Sequence, residues 1–261
     1  MPDRTDARKQ FHSVLRPGLF DGQVHWVTGA GSGIGRCVAH ELASLGATVL
    51  LSGRKQDKLD RVAAEIVEDG GRCDTAAFDI RDEDAVKAAV AGVVGKHGPV
   101  HGLVNNAGGQ FPSPLMMISK RGFDAVVSSN LTGGFLMMRE LFLQSMQQHG
   151  GAIVNMTADF RNGMPGMGHS GAARAGMSNL TMSAAFEWAS SGVRVGVAVG
   201  VMVGSEVGAA VICAVAVTAG VGVEKLGGTG VMAGLLTADE DSSRDMYTKS
   251  VLIKSILIHS F

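Results

Sequence analysis

The run Thr28-Gly29-Ala30-Gly31-Ser32-Gly33-Ile34-Gly35, TGAGSGIG, follows directly on the apolar segment Val24-His25-Trp26-Val27. An apolar run, a cluster of glycines and a helix-like segment from about Ile34 form the pattern of a strand, a tight turn and a helix N-terminus. Unpaired backbone N–H groups and the positive end of the helix dipole converge at such a turn, and a diphosphate fits there. Glycine suits the turn because the backbone bends sharply and a Cβ would hold the phosphates away. The spacing is Gly29, Gly33, Gly35; the strict G-x-G-x-x-G fingerprint is absent, because Ile34 and Arg36 stand where its last glycine would have to be. A glycine-rich surface turn has the same composition. The strand before and the helix after it favour the dinucleotide loop.

The alternation continues along the chain. Strands are predicted at Val24–Thr28, Thr48–Ser52, Cys73–Asp79, Gly102–Asn105, Ala152–Met156 and Val193–Val199, and helices at Ile34–Leu45, Gln56–Glu68, Asp82–Lys96, Lys120–Gln147 and Ser170–Ala189. This order reads as α/β: a single doubly wound parallel sheet of the Rossmann type with helices on both faces, in one domain spanning 1–261. The fourth helix carries an apolar stripe, Phe123, Val127, Leu131, Phe135, Met138, Phe142 and Met146, expected to face the core.

A chain of 261 residues with 46% hydrophobic content can build a deep core, and a formal net charge of -1 gives no electrostatic reason to expect nucleic acid or an acidic membrane as partner. Cys37, Cys73 and Cys213 are odd in number and far apart, so reduced thiols in a cytoplasmic protein are expected, with no metal site. The charged start MPDRTDARKQF has no apolar core and does not read as a secretory signal. Val207–Val223 is uncharged, but it carries Gly208, Gly220 and Gly222 and reads as buried strand or helix before a membrane span.

At the end of the second strand, Ser52-Gly53-Arg54-Lys55, the carboxylate that would take the adenine-ribose hydroxyls of NAD is absent, and the first acid is Asp57. A basic side chain there suits the extra phosphate of NADP, so NADP(H) is expected, with NAD(H) as the alternative. Asp79 after the third strand is either an acceptor for the adenine amine or a helix cap before Asp82. Asn105-Asn106-Ala107-Gly108 can return hydrogen bonds to the sheet while letting a ribose pass closely.

These residues amount to a resemblance. TGAGSGIG, NNAG from Asn105, Asn130 on the fourth helix and the strand Ile153-Val154-Asn155 resemble the short-chain dehydrogenase/reductase family, from about Arg16 through Val199. NNAGGQFPSP from Asn105, NLTGGF from Asn130, and HSGAARAGM from His169 followed by Glu187-Trp188 resemble its peroxisomal trans-2-enoyl-CoA reductases and bacterial citronellol dehydrogenase-like members. The resemblance implies that Gly29, Ser32, Gly33, Ile34, Arg54, Asp79, Asn106, Gly108 and Arg174 hold the cofactor. It also implies a homo-oligomer, a tetramer in the relatives, and a small-molecule substrate, either an acyl thioester or a terpenoid alcohol or aldehyde.

The family's Tyr-x-x-x-Lys pair falls on Ser170 and Arg174 here, and the single tyrosine, Tyr247, has no matching context. A serine hydroxyl is a poor acid near neutral pH, whereas Arg174 can still bind ribose hydroxyls through its fork of donors. Enoyl- and dienoyl-CoA reductases of the family also tend to lack that tyrosine. Reduction of a conjugated C=C bond mainly needs donors at the thioester oxygen and a proton at the α-carbon. The catalytic set expected is therefore Asn130, Ser170, Arg174 and Asp159. Asp159 would act as the acid if desolvation raised its pKa, and a pair with Arg161 is the competing expectation. Thr157 or Ala158 stands near the place of the family's serine. His169 is either a helix-start residue or a reacting group, and Phe111, Met164 and Met167 are expected around an acyl chain. After Val199 the Pro-Gly turn and substrate cover of the relatives are missing, Ser205-Glu206-Val207 reads as the helix that normally follows the cover, and the tail SVLIKSILIHSF has no counterpart. An NADP(H)-dependent reductase of the conjugated C=C bond of an enoyl-CoA-like or enal substrate is the reading these features support, with an alcohol/aldehyde dehydrogenase of the citronellol type or a non-catalytic dinucleotide-binding protein as alternatives.

Overall fold

Along β1 (Val24–Thr28) every residue is buried, and successive side chains leave the sheet on opposite faces. The computed structural model describes residues 15–199, so the expectations for the N-terminal segment, Cys213, Val207–Val223, Tyr247 and the tail, and for the last part of the domain, lie outside the described residues. Six strands form one parallel sheet in the order β3-β2-β1-β4-β5-β6. The others are β2 (Thr48–Gly53), β3 (Arg72–Ala77), β4 (Gly102–Asn105), β5 (Gly151–Thr157) and β6 (Val193–Val199). On one face Val27, Val49, Leu51, Val104 and Val154 meet Val38 and Leu42 of α1 (Gly33–Ser44) and Leu59, Val62 and Ile66 of α2 (Gln56–Glu68). On the other, Trp26, Leu50, Leu103 and Ile153 meet Val86 and Val90 of α3 (Glu83–His97) together with residues of the two later helices. The doubly wound expectation holds over these residues. Among them, no helix is long and apolar enough to cross a membrane.

Two details differ from the sequence reading. The third strand stops at Ala77, and Asp79 lies in the turn beyond it, where its carbonyl accepts from the Asp82 N–H. Asp82, not Asp79, caps α3 by accepting from the Ala85 N–H at 3.1 Å. The fourth helix runs as α4 (Lys120–Val127), a π-helical turn Ser128–Thr132, α5 (Gly133–Leu141), a second π turn Phe142–Met146 and α6 (Gln147–His149). Each π turn shifts the phase of the faces, so the expected stripe is displaced: Met138 and Met146 are buried, but Phe123 is exposed and Val127, Leu131, Phe135 and Phe142 are half-buried. Val126, Asn130, Met137, Leu141 and Ser145 face inward instead. The fifth helix, α7, spans Gly168–Trp188.

His25 on β1 is fully buried, and its cross-strand partner is Gly102. A Cβ at Gly102 would collide with His25 Nδ1, so the glycine makes room for the imidazole. Nε2 lies 3.0 Å from Gln23 Oε1, while Nδ1 has no hydrogen-bond partner among the described residues. Burial, with His101 nearby adding to it, pushes the imidazole down to about 3. The folded group thus takes its proton later than the unfolded one, and the stability it carries above its ordinary pKa is lost as pH falls from about 6.5 towards 3. Replacing His25 by Ala should lower stability at pH 7 through the cavity left behind, yet remove about 1.4 kcal/mol per pH unit from the stability slope between pH 6 and 4. Urea unfolding of both proteins across that range measures it.

Candidate active site

The strand order reverses between β1 and β4, and the crevice outside their C-terminal ends is where a ligand fits in such sheets. Thr28, the last residue of β1, accepts from the backbone N–H groups of Asn106 (3.0 Å) and Ala107 (2.9 Å) through Oγ1. Asn106 Nδ2 returns a bond to the Thr28 carbonyl at 3.0 Å. Asn106 thus spends its amide on joining the two loops while lining the cleft between them. Gly29 (φ 66°) and Gly33 (φ 56°) adopt left-handed backbone, and a Cβ at Gly35 would lie 2.5 Å from Asn106 Nδ2. Ser32 is the N-cap of α1, and its hydroxyl makes no capping bond. The first N–H groups of the helix and that hydroxyl therefore face the cleft unspent.

The cleft has a volume of about 690 Å³, and Gly29, Ser32, Gly33, Ile34, Arg54, Asp79, Asn106 and Gly108 all line it. Lys55, Lys58 and Arg81 line it as well. Arg81 grips Asp79 through its Nε (2.9 Å to Oδ1) and Nη2 (2.5 Å to Oδ2). The guanidinium beside it holds the Asp79 carboxyl below the usual range, so the one acid at this end is ion-paired at neutral pH. The balance of charge around the adenine end is positive.

At the other end Arg174 of α7 reaches back under β5, where Nη1 donates to the Met156 carbonyl at 2.5 Å. Its Nε is buried without a hydrogen-bond partner, and burial pulls the guanidinium pKa down. A buried cation without a carboxylate costs several kcal/mol unless acceptors reach it. A Cβ at Gly108 would fall 3.1 Å from Arg174 Nη2 and inside the contact radius of Asn130 Oδ1. A cradle that only glycine allows, free helix N–H groups and an orphaned guanidinium nitrogen together fit a dinucleotide with its diphosphate and ribose hydroxyls.

Asn130, buried within the first π turn, accepts from the Gly109 N–H (3.2 Å) and donates to the carbonyls of Gly109 (2.6 Å) and Val126 (3.0 Å). Ser170 is fully buried, and its hydroxyl donates to Gln110 Oε1 at 3.2 Å. His169 is the second residue of α7 and makes no cap; both ring nitrogens are buried without partners, and the ring stands edge-on to Phe111 at 4.5 Å. Thr157 Oγ1, at the end of β5, is also buried and unpartnered, and Ala158 follows it half-buried. Asp159 is different. Its side chain is 57% exposed and lies 3.6 Å from Arg161, so the desolvation that an acid role requires is not present. Phe111 lines the cleft, whereas Met164 and Met167 sit half-buried on the loop before α7.

The structure thus sets Asn130, Arg174 and Ser170 behind the cleft wall, against Gly108, Gly109 and Gln110, while Asp159 is not among the described residues that line the cleft. Arg81, Lys58 and Gln110 escaped the sequence reading. A basic residue two places after Asp79 was the available signal for the first, and QFPSP after NNAG for the last. Substituting Gly108 by Ala should weaken NADPH binding by tenfold or more through displacement of Asn130 and Arg174, with the far-UV circular dichroism spectrum unchanged; NADPH fluorescence titration checks it.

A family model described as short chain dehydrogenase matches residues 23–212. A probable 2,4-dienoyl-CoA reductase of Caenorhabditis elegans is 36% identical over 185 residues, 69% of this chain and 60% of that protein. The peroxisomal 2,4-dienoyl-CoA reductase of Danio rerio is 32% identical over 192 residues, 73% of this chain and 64% of that protein. The chain therefore spans under two thirds of the length of these relatives. Among solved structures, the citronellol catabolism dehydrogenase of Pseudomonas aeruginosa PAO1 is 60% identical, covering 72% of this chain and 78% of that one at a TM-score of 0.71. A metagenomic short-chain oxidoreductase in complex with NADP is 33% identical, covering 77% and 92% at a TM-score of 0.72. On the extent of these matches, the chain belongs to the short-chain dehydrogenase family.

Proposed function

We propose that this chain is an NADP(H)-dependent oxidoreductase that reduces the conjugated C=C bond of an acyl thioester. The observation that carries the reading is the site at the start of α7. Where the resemblance places an acidic phenol there is a buried Ser170 hydroxyl bonded to an amide, Gln110. Such a site supplies hydrogen-bond donors better than protons, which suits a reaction whose charge builds on a delocalised oxygen. The similarity to proteins named as dienoyl-CoA reductases agrees with it.

NADPH, when bound, would supply the hydride to the β-carbon. With the Ser170 hydrogen on Gln110 and Asp159 exposed beside Arg161, the proton that completes the reduction at the α-carbon would come from solvent. The glycine turn, Ser32 and Ile34 hold the NADPH diphosphate; Arg54, helped by Lys55, Lys58 and Arg81, takes the 2′-phosphate; Asp79 with Arg81 borders the adenine, and Arg174 and Asn106 border the nicotinamide ribose. Asn130 keeps Gly108 and Gly109 in place. A medium-chain trans-2-enoyl-CoA should be consumed with NADPH, monitored by loss of absorbance at about 340 nm, and tight NADPH binding without turnover of any substrate would move the assignment to a non-catalytic binding protein. Arg54→Ala should lower kcat/KM for NADPH by about tenfold or more and leave that for NADH nearly unchanged.

The 60% identity to a citronellol catabolism dehydrogenase favours a second reading, the interconversion of a terpenoid alcohol and its aldehyde. NADP⁺-dependent oxidation of citronellol, with no consumption of the enoyl thioester, would select it. Exposed apolar side chains at Leu143, Met182 and Phe186 support association with further copies, which light scattering of the purified protein tests.

A further inference from the structure

The donors at the reacting end can be followed one by one. Asn130 Nδ2 is committed to the carbonyls of Gly109 and Val126. The single hydrogen of the Ser170 hydroxyl is committed to Gln110 Oε1. Asp159 is exposed and faces Arg161. Thr157 Oγ1, the His169 ring nitrogens and Arg174 Nε lack partners too, but they are buried and their residues do not line the cleft. The amide that opens onto it is Gln110 Nε2, on an exposed side chain lining the cleft and with no hydrogen bond to any described residue. Its neighbourhood is held at three successive residues: Gly109 by the Asn130 amide, Gln110 by Ser170, and Phe111 by the His169 ring. A donor fixed in this way meets developing charge without having to reorganise.

We propose that Gln110 binds the carbonyl oxygen of the substrate through Nε2, and that Ser170 is a positioning residue acting through it, its hydroxyl fixing Oε1 so that the N–H groups face the cleft. The pair would occupy the role of an oxygen-binding group at a site without the phenol. The inference rests on the reading that the substrate carries a carbonyl conjugated with, or at, the carbon that accepts hydride. It goes beyond that reading in assigning the donor to the loop after β4 and not to α7.

The test uses the full-length chain, its Gln110→Leu, Gln110→Asn and Ser170→Ala variants, and the Gln110→Leu/Ser170→Ala double variant. Calorimetry of trans-2-decenoyl-CoA against protein saturated with NADP⁺, which cannot reduce it, reads oxygen binding without turnover. NADPH fluorescence reports on the cofactor cleft and on folding. Gln110→Leu should bind the thioester tenfold or more weakly and lose about 10²-fold in kcat, with NADPH affinity within twofold of wild type. Gln110→Asn should recover part of both losses. Ser170→Ala should lose less than Gln110→Leu, and nothing further when Gln110 is already Leu.

Thioester binding and kcat within twofold of wild type in Gln110→Leu would overturn the proposal. So would a Ser170→Ala loss of equal size in both backgrounds, which would make the serine an independent donor. If the wild type binds and reduces no thioester, the thioester reading fails by itself, and the same variants are then measured with citronellal and NADPH. An unaffected Gln110→Leu in that assay, or a wild type inert towards both compounds, overturns the inference as well.

Discussion

The hydroxyl of Thr28 accepts from two successive backbone N–H groups of the neighbouring strand's loop, and the site is built outward from that junction. β1 and β4 are adjacent strands whose following helices leave to opposite faces, so their loops diverge and open a crevice. Left to itself the crevice would expose the backbone groups of both turns. The Thr28 hydroxyl and the Asn106 amide satisfy several of them while holding the loops at a fixed separation. Position 35 requires glycine because the Gly29 carbonyl and the Asn106 amide together occupy the space a Cβ would need. The helix N–H groups that remain unspent are those directed at the cleft.

Asn130 exerts the second constraint, from the opposite wall. A buried amide must find partners, and here it takes the carbonyl of Val126 four residues earlier in its own helix and both polar groups of Gly109. The helix is π-wound at this point, Ser128–Thr132, so the ordinary ladder is relaxed where the side chain intrudes. Removing the amide would leave the Gly109 N–H and two carbonyls to find other partners, at a cost of about 1–3 kcal/mol for each that stays buried and unpaired. A residue that resembles a reacting group in sequence thereby acts on the shape of the loop carrying Gly108 and Gln110.

This is also where the sequence stops being sufficient. The strands were legible because burial on both faces demands continuous apolar runs, and the turn at Gly29–Gly35 because only glycine tolerates its backbone and its neighbours. The phase of the fourth helix was not, because periodicity assumes an uninterrupted 3.6-residue repeat and the two π turns break it. The third strand ran long on paper since Phe78 and Ile80 are apolar, whereas the Asp79–Asp82 turn ends it. Gln110 and Arg81 were illegible for a different reason. The signals beside them, Asp79 before Arg81 and NNAG before Gln110, do not show what each side chain holds: Arg81 the Asp79 carboxylate, and Gln110 the hydroxyl of Ser170, 60 positions away.

The same distinction bears on what the loss of a tyrosine means. A Tyr–Lys pair works by lowering a phenol pKa with a nearby ammonium, so its chemistry resides in the two side chains themselves. With Ser170 and Arg174 in those places, the cation has no phenol to acidify, and burial makes it a binding group in search of acceptors. The serine, with one hydrogen already directed at Gln110, can transmit orientation but has no spare donor. A substrate that must receive a proton on oxygen, as an aldehyde does on its way to an alcohol, gains little from such a site. One whose oxygen only has to hold charge while a proton reaches carbon gains more, because fixed amide donors stabilise charge that water would otherwise have to reorganise around. The replacement is thus an electrostatic ground for the proposed reduction of a conjugated bond.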